Sequence, residues 1–185
     1  MNEADGYGDS QVADPLNTRY AGVYRGGNAL RFGGALLGGA INMVTPTGKD
    51  AGFQNQVRLD GGAFGLAREH IAIARQSGDW DVYAAATNQT GQGWRSQSQQ
   101  NIQFAAINLG RSFGEGREAR LTVNGSNINQ EIPGALTLAQ FEADPRQIPG
   151  ANAGLDYQRN QRGLRGVLRT RWRVDEGLSL EGAVY

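Results

Sequence analysis

The stretch ARLTVNGS, residues 119–126, alternates strictly between two kinds of residue. Alanine, leucine, valine and glycine occupy one set of alternate positions, and arginine, threonine, asparagine and serine occupy the other. Successive side chains of a β-strand point to opposite faces of the sheet, so a period of two indicates a strand with two different environments. This stretch therefore predicts a strand with one apolar face and one polar face.

The same alternation recurs on both sides of this stretch. It is found in segments 55–63, 69–76, 80–87, 101–110, 164–174 and 178–185. The segments at 69–76 and 101–110 alternate less regularly. In the latter, Ile102 and Phe104 lie on one face but Ile107 and Leu109 lie on the other, which predicts a β-bulge or a misplaced boundary. Together these segments predict seven antiparallel strands.

The connections between these strands differ in length in a regular way. Tight turns rich in glycine and acidic residues follow the second, fourth and sixth strands, at 77–79, 113–116 and 175–177. The other connections run through 64–67, 90–99 and 131–161, and TLAQFE within the last of them predicts a helical turn. Every second connection of an antiparallel meander lies at the same end. We therefore expect all short turns at one rim and the long loops at the other.

This pattern is typical of a bacterial outer-membrane β-barrel. Such barrels combine strands of about ten residues with short turns on one rim, long loops on the other and one apolar face toward lipid. In such a barrel the polar half of each strand would face water or the plug, which explains the low mean hydropathy of −0.50. Trp80 and Trp172 fall at the short-turn rim, as an interfacial aromatic belt requires. The alternative is that both tryptophans pack in the core of a soluble sandwich.

Composition excludes several classes of function. The chain has 185 residues, with 18 basic and 18 acidic residues, and therefore lacks the positive excess of a general nucleic-acid binder. No cysteine is present, so disulfides and thiolate metal sites are excluded, and His70 as the single histidine makes a metal site unlikely to form. No nucleophile with a base can be identified. The sequence therefore predicts no catalytic residue, no metal, no cofactor and no enzyme activity.

The glycine-rich stretch RGGNALRFGGALLGGAINMVTPTGK, residues 25–49, precedes the first alternating strand. A phosphate-binding loop requires G-x-x-x-x-G-K-[ST], but Gly39 and Ala40 stand where the lysine and the hydroxyl residue are needed. A membrane-spanning helix requires about 20 apolar residues, and Asn42 and Thr45 interrupt this stretch. A compact, turn-rich subdomain remains as the prediction. The N-terminus also lacks a signal-peptide pattern, which predicts either a cytosolic protein or a chain whose natural start is missing.

Three motifs near the N-terminus carry a resemblance to a known family. They are DPLNTRY at 14–20, VYRGGNALRFG at 23–33 and LGGAINMVTP at 37–46. This series resembles the C-terminal half of the plug domain of TonB-dependent outer-membrane receptors. The resemblance implies that residues 1–50 are part of a plug and that residues 51–185 are the first, incomplete set of barrel strands, so that the chain is an internal fragment. The segment 132–146 also resembles an extracellular loop of ferric-citrate-type receptors.

The resemblance implies a function and partners. A receptor of this family sits in the bacterial outer membrane, binds a scarce iron chelate such as a siderophore or ferric citrate, and imports it with energy from the TonB complex. The implied partners are the chelate, the TonB complex and outer-membrane lipid, and nucleic acid is not among them. Two alternatives stay open: a porin-like diffusion channel, which would have no plug, and a soluble glycine-rich β module that binds a partner.

A row of arginines provides the first set of candidate site residues. Arg165, Arg169, Arg171 and Arg173 fall on one face of a single strand. Arginine offers planar, bidentate donors to carboxylates, so the row could guide an anionic ferric chelate. Alternatively, these residues pair with acids of neighbouring strands, such as Glu118 and Glu181, or with the plug. We expect ligand contact from Arg165 and structural pairing between plug and barrel from Arg25, Arg169, Arg171 and Arg173.

The remaining candidate ligand-binding residues lie on turns and loops. Asn28 and Arg31 belong to the plug turn, and Trp94, Arg95 and Gln99 belong to the long loop at 90–99. Long loops on one rim of a rigid scaffold are where ligand contact is expected. We therefore predict that these five residues, with Arg165, contact the ligand.

Overall fold

A computed structural model of the chain describes residues 13–32, 38–152 and 154–185. Its described part forms two antiparallel sheets. Strands β1 (Tyr20–Arg25) and β2 (Gly39–Val44) pair with each other. The second sheet is a meander of seven strands in sequence order, namely β3 (Asn55–Gly61), β4 (Ala67–Ser77), β5 (Trp80–Gly91), β6 (Gln100–Ser112), β7 (Glu118–Glu131), β8 (Gln158–Arg173) and β9 (Ser179–Val184).

The predicted all-β class and the seven antiparallel strands are confirmed, with the short turns at 78–79, 113–117 and 174–178. The predicted helical turn is also present as α1 (Leu138–Ala143). Thr137 caps it by accepting a hydrogen bond from the Gln140 amide, while the Gln140 side chain accepts one from the Thr137 amide. Short 3₁₀ segments occupy Pro15–Asn17, Gly26–Phe32 and Gly150–Asn152.

For segment 101–110 the predicted β-bulge is wrong. Strand β6 pairs one residue to one with both neighbours, from Trp80↔Arg111 to Gly91↔Gln100 on one side and from Ser112↔Glu118 to Gln100↔Gln130 on the other. Both faces of β6 carry apolar residues, so its apolar side chains do not keep to one set of alternate positions. Phe104 points to a cavity beneath the N-terminal part of the chain, whereas Ile107 lies on the opposite, exposed face.

The seven-stranded sheet has an exposed apolar face, which we name the outer face. Leu164 is 83% exposed and Leu59 is 74% exposed, values that side chains of a protein core do not show. The other large apolar residues of this face include Val57, Ile71, Ile73, Ile107, Leu121, Leu168, Leu180 and Val184. Along every strand the alternate residues belong to the opposite face, here named the inner face.

The described residues 13–32 and 38–54, here named the N-terminal segment, contact the inner face through residues 14 and 17 near the start and through residues 46–53 near the end. Beneath them is a small core of Ala72, Ala74, Ala106 and Tyr83, and the ring of Phe53 meets Tyr83 edge to face at 6.4 Å between centroids. Small side chains let the segment approach the sheet closely. At Gly48 the approach is closest, since a Cβ atom there would overlap the backbone of Arg75 and Val82.

Within the described residues the seven-stranded sheet is open. β3 pairs only with β4, and β9 pairs only with β8. All six residues of β9 are exposed. The two sheet edges therefore present unpaired backbone groups in the part of the chain that the structure describes.

Candidate functional site

A buried ion network joins the N-terminal segment to the inner face. Its centre is Asp81, the second residue of β5, whose side chain is 0% exposed. Arg120 of β7 binds this carboxylate in a bidentate manner, with N···O distances of 3.0 and 2.9 Å. From the N-terminal segment, Lys49 places its Nζ atom 3.3 Å from Asp81, and the Gly48 amide donates a hydrogen bond of 3.1 Å.

Arg120 is held by further partners. Its Nε atom donates to Glu118 at 2.7 Å, and its Nη1 atom donates to the Oδ1 atom of Asn108 at 2.9 Å. Gly110 lies between Asp81 and Arg120 in the register, and a Cβ atom there would overlap both the carboxylate and the guanidinium. The ion pair therefore requires a glycine at this position.

Asn108 extends this network to the backbone of the N-terminal segment. Its Nδ2 atom donates to the carbonyl oxygen of Pro46 at 2.9 Å, while its Oδ1 atom accepts from Arg120. The side chain is 3% exposed, so both ends of the amide find partners away from water. The contact connects β6, β7 and the N-terminal segment through a single side chain.

A second polar network lies toward the start of the N-terminal segment. Asp14 accepts hydrogen bonds from Thr87 at 2.5 Å and from Asn17 at 2.7 Å. The Tyr83 hydroxyl donates to Asn17 at 2.9 Å, and Nδ1 of His70 lies 2.8 Å from the Thr87 hydroxyl. Since the hydroxyl donates its one hydrogen to Asp14, Nδ1 of His70 must carry a proton and donate to Thr87.

Both networks have the same chemical character. The segment is fixed mainly by hydrogen bonds and ion pairs, and a buried ion pair adds more to geometry than to stability because desolvation offsets the attraction. Neither network holds a nucleophile next to a base that is open to a substrate. The arrangement therefore holds one part of the chain in a defined position on another.

Two cavities lie in the described part of the chain, and the first of them borders the N-terminal segment. The first, of about 400 Å³, lies between the N-terminal segment and β6 to β8, and its lining includes Asp14, Asn42, Phe104, Ser126 and Arg165. Its lining is more apolar than polar, and both the inner face and the segment contribute some hydrogen-bonding groups to it. It lies at the middle of the strands rather than at their ends.

The second cavity, of about 440 Å³, lies at the long-loop end of the sheet and is here named the loop pocket. Its lining is mostly apolar and combines Trp94 and Arg95 of the β5–β6 loop with Leu136, Thr137, Leu138, Phe141 and Pro145 of the β7–β8 loop. Arg95 donates to the carbonyl oxygens of Gly134 at 2.9 Å and Gln147 at 2.8 Å. Arg146 donates to the carbonyl oxygen of Trp94 at 2.9 Å. The two loops therefore form one unit.

The six predicted ligand-binding residues do not come together. Only Trp94 and Arg95 share a site, the loop pocket, whereas Arg165 lines the first cavity. The backbone N–H of Gln99 donates a hydrogen bond of 2.8 Å to the Glu131 carboxylate, and Asn28 is exposed in the 3₁₀ segment that follows β1. The side chain of Arg31 lies outside the described residues.

The predicted pairing arginines have different surroundings. Arg171 forms an ion pair of 2.8 Å with Glu181 on the neighbouring strand, and both side chains are exposed. No ion pair of Arg25, Arg169 or Arg173 occurs among the described residues. The segment and the sheet are instead joined by Arg120, Lys49 and Asp81, which the sequence analysis did not select. The sequence feature that could have pointed to Asp81 and Arg120 is their position on the polar faces of their strands.

Comparison with known families gives no match, since no family model fits the sequence. None of the helices in the described ranges is long and apolar enough to cross a membrane. Within the same ranges, no cluster of three or more histidine, aspartate or glutamate residues is arranged to hold a metal ion.

Proposed function

We propose that the chain is part of a TonB-dependent outer-membrane receptor that binds and imports an iron chelate. In this proposal β3 to β9 belong to the wall of a transmembrane barrel, and the N-terminal segment belongs to its plug. One observation carries the proposal: the N-terminal segment covers the polar face where β4 to β7 form it, while the apolar face is exposed.

The exposed outer face favours lipid as its surroundings. A soluble protein would bury a continuous apolar face and leave the polar face to water. Here Leu59, Leu164 and Val184 are more than half exposed, whereas Asp81, Asn108 and Thr87 on the inner face are buried. β4 to β8 have 11 to 16 residues. This length suffices, because a tilted transmembrane strand needs roughly 9 to 11 residues.

The polar junction favours a plug. Hydrogen bonds and ion pairs between segment and wall can be exchanged for bonds to water at a smaller net cost than buried apolar contacts. A segment held in this way can be displaced, as import through the barrel lumen requires. Asp81 is the focus of this contact because it receives Arg120 from the wall and Lys49 from the segment.

The loop pocket is the proposed place of first ligand contact. Its aromatic and aliphatic lining, with Arg95 as the single cation, suits a chelate that has an apolar or aromatic part and a negative charge. The pocket lies at the end of the sheet opposite the short turns, which corresponds to the extracellular rim of such a barrel. Bound ligand would then move along the inner face past Arg165.

Iron uptake by a strain that lacks the gene tests this proposal. We expect the deletion to abolish uptake of radiolabelled iron from at least one of three probes: ferric citrate, a hydroxamate chelate or a catecholate chelate. The complete gene should restore uptake, and it should fail to do so when the TonB system is inactivated. Unchanged uptake of all three probes, or uptake that continues without the TonB system, would contradict the proposal.

A further inference from the structure

A cluster of aromatic rings and arginines lies on the outer face next to the short turns. Arg111, the penultimate residue of β6, places its guanidinium carbon 5.0 Å from the ring centroid of Trp80 and 4.9 Å from that of Phe113. Arg117 lies 5.3 Å from the centroid of Trp172, and Phe113 and Trp172 are themselves 6.2 Å apart. We name these five residues the rim cluster.

The strands and turns bring this cluster together for local reasons. Trp80 and Arg111 are register partners on β5 and β6, and Phe113 follows two residues later on the same face. Trp172 comes from the end of β8, one strand beyond β7. Three different strand ends therefore contribute to a single patch, which is not produced by any one short stretch of sequence.

Among the described residues, no carboxylate forms an ion pair with Arg111. Its guanidinium lies instead against the rings of Trp80 and Phe113. Beyond the rim cluster the turn tips carry acids, as with Glu115, whose side chain is 85% exposed and 3.9 Å from Arg117. From the strands to the turn tips, apolar residues therefore come first, aromatic rings with arginines come next, and acids come last.

We infer that the rim cluster binds the phosphate of an anionic phospholipid headgroup, with Arg111 as its principal ligand. The aromatic rings hold the guanidinium by cation–π contacts while leaving its N–H groups free to donate to phosphate oxygens. Tryptophan prefers the membrane interface, where the phosphate layer lies, and the acids beyond it would face water. This inference rests on the proposed membrane location and adds a lipid site to it.

Retention of lipid by the purified protein tests the inference. The protein expressed from its complete gene is reconstituted in vesicles of equal parts phosphatidylglycerol and phosphatidylcholine, extracted in mild detergent, and examined by native mass spectrometry. We expect the wild type to retain phosphatidylglycerol in preference to phosphatidylcholine. Arg111→Gln should lower this preference about fivefold, the effect of removing one basic residue near an anionic lipid surface.

A matched control separates the site from general charge. Arg171→Gln removes the same charge near the same rim but on the inner face, where Arg171 pairs with Glu181, and should retain phosphatidylglycerol as the wild type does. Equal loss in both variants, or none in Arg111→Gln, would overturn the lipid site while leaving membrane insertion intact. Failure of the wild type to insert into the vesicles would overturn the membrane location as well.

Discussion

Gly110 is the residue on which the buried ion network depends for space. A methyl group at this position would occupy the volume in which the Arg120 guanidinium meets the Asp81 carboxylate. Because both strands adjoining β6 are fixed by their backbone pairing, the side chains must move instead. The residue is therefore a sensitive point for the docking of the N-terminal segment.

We predict that Gly110→Ala weakens this docking. The displaced carboxylate would lose its bidentate partner, and the amide of Gly48 would exchange hydrogen faster as its bond to Asp81 weakens. Gly166→Ala is the matched control, because no atom lies within 4 Å of a Cβ atom built there. Hydrogen exchange of a peptide that covers residues 45–53 measures the difference. Equal exchange in both variants would contradict the steric argument.

A second residue-scale prediction concerns the charge of Asp81. Asp81→Asn leaves Arg120 without its buried partner, a change that costs roughly 3 kcal/mol and should speed exchange at Gly48 about 100-fold. The control is Asp60→Asn, which removes a partner from Arg58 in an exposed ion pair of 2.9 Å. Solvent screens this exposed pair, so exchange near Gly48 should stay unchanged. The prediction is wrong if the two variants behave alike.

A third prediction concerns the hydroxyl of Thr87, which is shared between His70 and Asp14. Thr87→Val keeps the shape but removes both hydrogen bonds. Asp14 keeps the hydrogen bond from Asn17, whereas Nδ1 of the buried His70 is left without a partner at a cost of about 1 to 3 kcal/mol. We expect earlier loss of the N-terminal segment in a protease-sensitivity series with denaturant. Thr170→Val, on the exposed face of β8, serves as the control, and an identical series for both variants would refute the role of Thr87.

At the scale of elements, the two long loops act as one unit through arginine contacts with backbone carbonyls. Arg95→Gln removes the bonds to Gly134 and Gln147 and should make the β7–β8 loop more accessible to protease. We also expect weaker binding of the iron chelate, because the loop pocket loses both its shape and its cation. The exposed Arg162 at the same end provides the control Arg162→Gln. Unchanged proteolysis and binding in Arg95→Gln would exclude the loop unit.

The elements themselves were largely predictable from sequence, since their causes are local. Alternation at 119–126 marks β7, the turn at 78–79 follows from Gly78 and Asp79, and the capping residues of α1 are three positions apart. The alignment of Asp81 with Arg120 was not predictable in this way. It spans three strands and depends on the β5–β6 loop and the β6–β7 turn, which set the register on both sides of Gly110.

The position of the N-terminal segment depends on still longer-range contacts. Lys49 contacts Asp81, which lies 32 positions later in the chain, and Asn17 contacts Tyr83, which lies 66 positions later. No local pattern indicates those partners. The predicted ligand-binding residues show the same limit. Trp94 and Arg95 are neighbours in sequence and share a pocket, whereas Arg165 belongs to another cavity.

At the scale of the whole molecule, the proposed receptor requires that the outer face meets lipid. The unpaired edges of β3 and β9 would then need partners, since backbone groups cannot remain without hydrogen bonds in a bilayer. In the proposed receptor the remaining wall supplies these partners. The proposed closed barrel in a membrane would account for both the exposed apolar residues and the edges.

Accessibility of spin labels along β7 tests this claim most directly. The chain has no cysteine, so single substitutions Leu121→Cys, Thr122→Cys, Val123→Cys and Asn124→Cys place labels on alternate faces of one strand. The protein expressed from its complete gene is labelled in lipid vesicles. The account predicts that labels at 121 and 123 collide more often with oxygen than with a water-soluble nickel complex, and that labels at 122 and 124 show the reverse order. More frequent collisions with nickel at 121 and 123 would contradict it.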